Sequence, residues 1–106
     1  MPYTFTGNEG EEFPLTTAAK WTANYRAANP DGIKAHFFGK QILAAGLAQS
    51  RCVGLRMYYA LDDDGIQQMI VVGVDKDGND LCTGIVMERA APCPPYCDGN
   101  SSPLNG

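Results

Sequence analysis

Two Asp-Gly turn signals between three apolar runs constrain the fold of this 106-residue chain more than any other feature. They lie at Asp62–Gly65 and Lys76–Asn79, inside the stretch from Arg51 to Glu88. Asp-Gly between apolar runs is a strong signal for a β-hairpin, because tight hairpin turns need positive φ angles that glycine adopts without strain. Two hairpins in succession predict a three-stranded antiparallel meander rather than strands joined by helical crossovers.

The turn lengths assign each side chain to a face of this meander, because side chains alternate along a strand. A two-residue turn at Asp77-Gly78 and a first turn of two or four residues predict one almost wholly apolar face. That face comprises Val53, Leu55, Met57, Tyr59, Leu61, Ile66, Gln68, Ile70, Val72, Val74, Leu81, Thr83, Ile85 and Met87. The opposite face is mixed, and its apolar residues that would need cover are Tyr58, Met69, Val71 and Val86.

Two helices are predicted before the meander. The first enters at Leu15, where a threonine hydroxyl can cap it, carries an apolar stripe, and ends before Pro30. The second is predicted from Ile33 to Ala48, with Phe38 and Ile42 on the side opposite its main apolar stripe. These elements predict an α+β fold with both helices packed on one face of the meander. Weak alternation at Tyr3 and Phe5, within residues 1–13, allows a short N-terminal edge strand.

Residues 89–106 form a tail rich in proline and cysteine. Its prolines exclude a regular helix or a central strand. We therefore predict one α+β domain over residues 1–88, and a tail that docks on this domain or on a neighbouring subunit. Tyr96 is the expected apolar anchor of the docked tail.

The charge and hydropathy of the chain exclude some classes of partner. A net charge of −4 argues against a general nucleic-acid binder or a protein that binds anionic membranes. No run approaches the ~20 apolar residues that span a bilayer, and no basic segment followed by an apolar one indicates a signal peptide. We expect a cytoplasmic protein without nucleic-acid or membrane partners.

The four cysteines, Cys52, Cys82, Cys93 and Cys97, leave three alternatives open. A reducing cytosol would keep them as ordinary thiols. One disulfide could join Cys82 to a tail cysteine, or Cys93 to Cys97, whereas Cys52 and Cys82 are predicted about 12 Å apart, too far for a bond. A zinc site is the third alternative, although no cofactor is otherwise expected.

No residue pattern in the chain matches a catalytic site. His36 is the single histidine, and the sequence names neither a nucleophile nor a carboxylate to work with it. Cys93 and Cys97 are separated by three residues, whereas thioredoxin-type motifs have two. An EF-hand loop counted from Asp75 would need glycine at its sixth position, where Asp80 stands.

These observations predict a non-enzymatic protein-interaction or self-assembly module that works as a homo-oligomer through its outer sheet face and its tail. The expected interface residues are Tyr58, Met69, Val71, Val86, Phe38, Ile42 and Tyr96. One alternative is a small thiol/disulfide or zinc-binding protein that uses Cys93 and Cys97 with Cys82. Another is an acidic inhibitor or immunity-type partner of a basic protein.

Overall fold

The computed structural model describes residues 3–105, which group into two units. The first unit contains residues 3–10 and Phe38–Ala90, and the second contains Glu11–Phe37 and residues 91–105. The helices and strands in chain order are α1 (Leu15–Ala28), β1 (Ala35–Phe37), α2 (Lys40–Leu47), β2 (Gly54–Leu61), β3 (Gln67–Val74), β4 (Val86–Met87) and β5 (Ala91–Cys93). The fold is therefore α+β, as predicted.

The first unit contains a three-stranded antiparallel sheet with the order β2-β3-β4. Strand β4 is shorter than predicted, because residues 82–85 leave the ladder after the Leu81 N–H donates to the Gly73 carbonyl over 2.8 Å. Val74 makes an isolated bridge to Asp80, and regular pairing returns only at Val86 and Met87. The third run predicted from Leu81 to Met87 thus contributes two strand residues.

Both hairpin turns contain three residues, so the predicted even-numbered turns were wrong. The Asp62 N–H donates to the Ile66 carbonyl over 2.9 Å, and the Asp75 N–H donates to the Asn79 carbonyl over 3.1 Å. The glycine that ends each loop has a positive φ, 80° at Gly65 and 85° at Gly78 in the second turn. A type I turn followed by one left-handed residue is the usual three-residue hairpin loop.

The first three-residue turn shifts the pairing of β2 with β3 by one residue relative to the prediction. Every side chain of β3 therefore lies on the face opposite to the predicted one. Met57 pairs with Val71, and Arg56 pairs with Val72. Val71 therefore shares the face of Met57, where the prediction had placed Val72. The second three-residue turn shifts the pairing of β3 with β4 by one residue as well, so the two shifts cancel for β4. Met87 pairs with Val71 and lies on the face of Met57, as predicted.

Helix α2 packs on β2 and β3 through Gly46. A Cβ atom at Gly46 would overlap Met87 Cε and would lie 3.3 Å from Leu55 Cδ2. The absence of a side chain thus allows the close approach of the helix, and Met87 and Val71 are fully buried. Gln49 ties the end of the helix to the loop before β4, because its side chain donates to the Gly46 carbonyl and accepts from the Ile85 N–H, both over 2.9 Å.

The second predicted helix, Ile33–Ala48, is too long, because Ala35–Phe37 forms strand β1 instead. This strand pairs with β5, and His36 lies opposite Pro92. The helix proper starts only after Gly39, whose extended backbone forms the N-cap. Pairing with a distant segment thus overrides a local helical pattern.

The second unit holds α1 and the two-stranded sheet of β1 and β5. Helix α1 ends before Pro30 as predicted, but its N-cap is Pro14 and no threonine side chain caps it. Pro92 is accommodated in β5, since both strands of a two-stranded sheet are edges. The tail is held by Arg26 Nη1, which donates to the Leu104 carbonyl over 2.8 Å. The predicted packing of α1 on the meander and the predicted domain boundary at residue 88 stay predictions.

The predicted N-terminal edge strand is not present in residues 3–13. Its first two positions, Met1 and Pro2, lie outside the described residues. A single backbone bond ties this segment to the second hairpin, from the Phe5 N–H to the Lys76 carbonyl over 2.8 Å. One bond to a turn carbonyl does not make a ladder, so the segment adds no strand to the sheet.

Candidate interaction surface

Strand β2 is an edge strand of eight residues, and no strand of the described residues pairs with its outer side. The Asp62 N–H bonds to the Ile66 carbonyl, and hydrogen-bonded pairs alternate along an antiparallel ladder. Even-numbered residues of β2 therefore direct their N–H and C=O groups to β3. The odd-numbered residues Met57, Tyr59 and Leu61 direct theirs to the free side.

The side chains of these three residues are also exposed, and we call the set of Met57, Tyr59 and Leu61 the β2 strip. Their exposed fractions are 55%, 82% and 72%. All three stand on the sheet face that α2 packs against near Leu55, and all three stay exposed. Unpaired backbone groups beside exposed apolar side chains are a template for another strand.

The start of β2 is flanked by the N-terminal segment. A Cβ atom at Gly7 would lie 3.0 Å from the Val53 carbonyl oxygen, so the two chains are in contact there. Glu9 folds this segment back on itself by accepting hydrogen bonds from the Tyr3 hydroxyl over 2.6 Å and from the Gly7 N–H over 2.9 Å. The Tyr3 hydrogen bond is the largest cause that lowers the pKa of Glu9 to about 2. A groove of about 420 Å³ separates the segment from residues 53–57.

The opposite face of β2 carries a polar cluster around Arg56. Its Nη1 atom lies 2.7 Å from an Asp80 carboxylate oxygen, and the Tyr58 hydroxyl donates to the other oxygen. This hydrogen bond is the main cause that raises the pKa of Tyr58. The guanidinium carbon also lies 5.5 Å from the centre of the Phe5 ring, within the range of a cation–π contact. The cluster ties β2 to the second hairpin and to the N-terminal segment.

Of the cysteine arrangements that the sequence left open, the structure contains one disulfide. Cys93 and Cys97 are joined by a disulfide, and Cys82 is exposed and free. Cys52 is half-buried, and its thiol donates to the Gly54 carbonyl over 3.2 Å. In the described part of the chain, no group of three or more His, Cys, Asp or Glu side chains could hold a metal ion.

The predicted interface residues divide by exposure. Four are exposed, namely Tyr58, Val86, Ile42 and Tyr96. Met69 and Phe38 are half-buried. Val71 is fully buried, so it belongs to the core and not to the surface. The three-residue first turn is the reason, because it directs Val71 toward the α2 side of the sheet.

Sequence reasoning missed the β2 strip as a surface. It had placed Met57, Tyr59 and Leu61 on the apolar face that both helices were expected to cover. The assignment of these residues to one face was right, but α2 is shorter than predicted and the three side chains stay exposed. A signal was present in Gly39, which separates Phe37 and Phe38 from the helical pattern that follows.

No family model, curated protein or solved structure gives a significant match to this chain. No helix in residues 3–105 has the length and hydropathy needed to cross a bilayer.

Proposed function

We propose that this chain is a non-enzymatic protein-interaction or self-assembly module that forms homo-oligomers through the free side of β2. The observation that carries the proposal is the β2 strip, where outward backbone groups and exposed apolar side chains occur in the same three residues. A strand added here would satisfy the backbone groups and cover the side chains together. Tyr96, an exposed residue of the tail, is a second anchor in the proposed assembly.

Helix α1 supports the same proposal. It is 14 residues long, none of its residues is buried, and Leu15, Trp21 and Tyr25 are exposed. A helix of this length is marginal by itself in water, and most helices in proteins are stabilised by packing of an apolar face. A partner surface that covers these side chains would supply that packing.

A thiol/disulfide function remains the second candidate, because Cys93 and Cys97 are paired across only three intervening residues. Cys82 takes no part in the disulfide, which narrows this candidate to the tail. Reversible reduction at the potential of a cellular thiol buffer, measured by mass spectrometry of alkylated chains, would favour it. A pair that stays oxidised across that range of potential would count against it.

The Cys93–Cys97 disulfide argues against the cytoplasmic location that the sequence predicts. Structural disulfides persist in oxidising compartments and are rare in the cytosol. Alkylation of the protein in intact cells, before lysis, distinguishes the two. Free thiols at Cys93 and Cys97 would support the cytoplasm, and a protected pair would support an oxidising compartment.

The test of the assembly proposal is a light-scattering measurement over a dilution series. The wild-type chain should have a mass above the monomer that falls on dilution. Tyr59→Lys should weaken association roughly tenfold or more, because burial of one aromatic side chain contributes about 1.5–3 kcal/mol and 1.4 kcal/mol is a factor of ten. Phe37→Lys is the control. The Phe37 side chain is likewise mostly exposed, at 69%, but it lies on β1.

Two results would contradict the proposal. The first is a monomer at every concentration of the wild-type chain. The second is an equal effect of Tyr59→Lys and Phe37→Lys, because the effect would then not depend on the position of the lysine. Circular dichroism of each variant shows that its fold is retained.

A further inference from the structure

We infer that the occupant of the free β2 edge is β2 of a second copy of this chain, paired antiparallel about a twofold axis at Tyr59. This inference rests on the proposed function and makes it specific. It names the partner and the register, so that each residue of one strand has a defined neighbour in the other.

The direction of the backbone groups limits the registers. Only odd-numbered residues of β2 direct N–H and C=O groups to the free side. In an antiparallel pair, the two residues that exchange hydrogen bonds stand directly opposite each other. An odd-numbered residue of one copy must therefore face an odd-numbered residue of the other. This keeps the β2 strips of both copies on one face of the joined sheet.

Charge selects one of the remaining registers. Arg56 is the single charged residue of β2, and Asp62 follows the strand directly. The axis at Tyr59 places Arg56 of each copy opposite Asp62 of the other, and opposite charges at facing positions stabilise a sheet. Moving the axis by one residue toward the start of β2 puts Ala60 opposite Arg56. Moving it one residue the other way carries Arg56 beyond the strand, to Asp64 in the turn.

The guanidinium of Arg56 can serve both partners. Its Nη1 atom bonds to Asp80 and to the Gly78 carbonyl within the chain. A guanidinium has five N–H donors in a planar fork, so a carboxylate from the second copy can bond to the remaining edge.

The same register joins the two β2 strips. Tyr59 faces Tyr59 of the second copy, and Met57 faces Leu61 of the second copy. The six side chains form one apolar patch, and each is more than half exposed in the single chain. The direct contact of Gly7 with Val53 lies outside residues 56–62, which pair in this register.

Cysteine cross-linking tests the register, in full-length chains that carry Cys52→Ser and Cys82→Ser to remove the free thiols. Tyr59→Cys should form a covalent dimer on mild oxidation, because facing residues of a hydrogen-bonded pair lie about 5.5 Å apart at Cα, within disulfide range. Leu61→Cys should not, since the two copies of position 61 would lie four residues apart along the strand, about 13 Å.

A mixture of two chains that carry different single cysteines provides the sharper test, and this test keeps Tyr59 intact. Met57→Cys alone and Leu61→Cys alone should stay unlinked, whereas a mixture of the two chains should form the cross-linked heterodimer. The parent chain is the one that carries only Cys52→Ser and Cys82→Ser. If it associates but this cross-linking pattern is not found, the register is wrong and the assembly proposal stands. If the parent chain is a monomer at every concentration, both are wrong, and a strand from another protein becomes the partner to seek.

Discussion

Two glycines in matching turns provide a controlled test of how the N-terminal segment packs. Gly65 and Gly78 each end a three-residue loop, with φ angles of 80° and 85°. A Cβ atom at Gly65 would meet nothing within 4 Å. At Gly78 it would overlap Phe5 Cε1 and lie 3.1 Å from Phe5 Cδ1 and Cζ. Alanine at either position thus imposes the same backbone cost, and only Gly78→Ala displaces the ring.

The expected losses in the free energy of unfolding follow from these contacts. A left-handed conformation costs alanine about 1–2 kcal/mol, so Gly65→Ala should lower the free energy of unfolding by about 1 kcal/mol. Phe5 is half-buried, and loss of half its burial adds about 1 kcal/mol. Loss of the Arg56 contact with the ring adds about 0.5 kcal/mol. Gly78→Ala should therefore cost about 2–3 kcal/mol.

Urea unfolding followed by circular dichroism measures both variants. The double variant Phe5→Ala with Gly78→Ala completes the cycle: once the ring is absent, Gly78→Ala should cost only what Gly65→Ala costs. Equal losses for Gly65→Ala and Gly78→Ala in chains that keep Phe5 would refute the packing of this ring on the second turn.

Three further predictions test the core, the acid response and the tail. Met87→Ala should lower the free energy of unfolding by about 2–5 kcal/mol because the side chain is fully buried, whereas Val86→Ala, at a 54% exposed position, should cost less than about 0.5 kcal/mol. The pKa of Glu9 is lowered from 4.5 to about 2 on folding, so its stabilising contribution is complete above pH 4.5 and is lost as the pH falls through 2. An NMR titration of the Glu9 carboxyl that gives a midpoint near 4.5 would contradict this. Thiol titration of the unfolded, unreduced chain should find two free thiols, and finding four would show that Cys93 and Cys97 are reduced.

Local chemistry alone predicted the hairpins and the end of the first helix. An Asp-Gly pair favours a turn with a left-handed residue whatever surrounds it, and both Gly65 and Gly78 have positive φ. The residue before a proline disfavours helical ψ, and α1 ends two residues before Pro30. Each of these effects depends on neighbours in the chain, so the sequence is sufficient to predict them.

The faces of the sheet and the length of α2 were decided by tertiary structure. Turns of two, three or four residues are all compatible with Asp62–Gly65, and one residue more or less moves Val71 between core and surface. Residues 35–37 fit a helical stripe, yet they become a strand because β5, more than 50 residues later, supplies backbone partners. The difference has one physical cause: local torsional preferences are set by adjacent residues, whereas strand register and strand identity depend on hydrogen bonds and packing between segments that only the folded chain brings together.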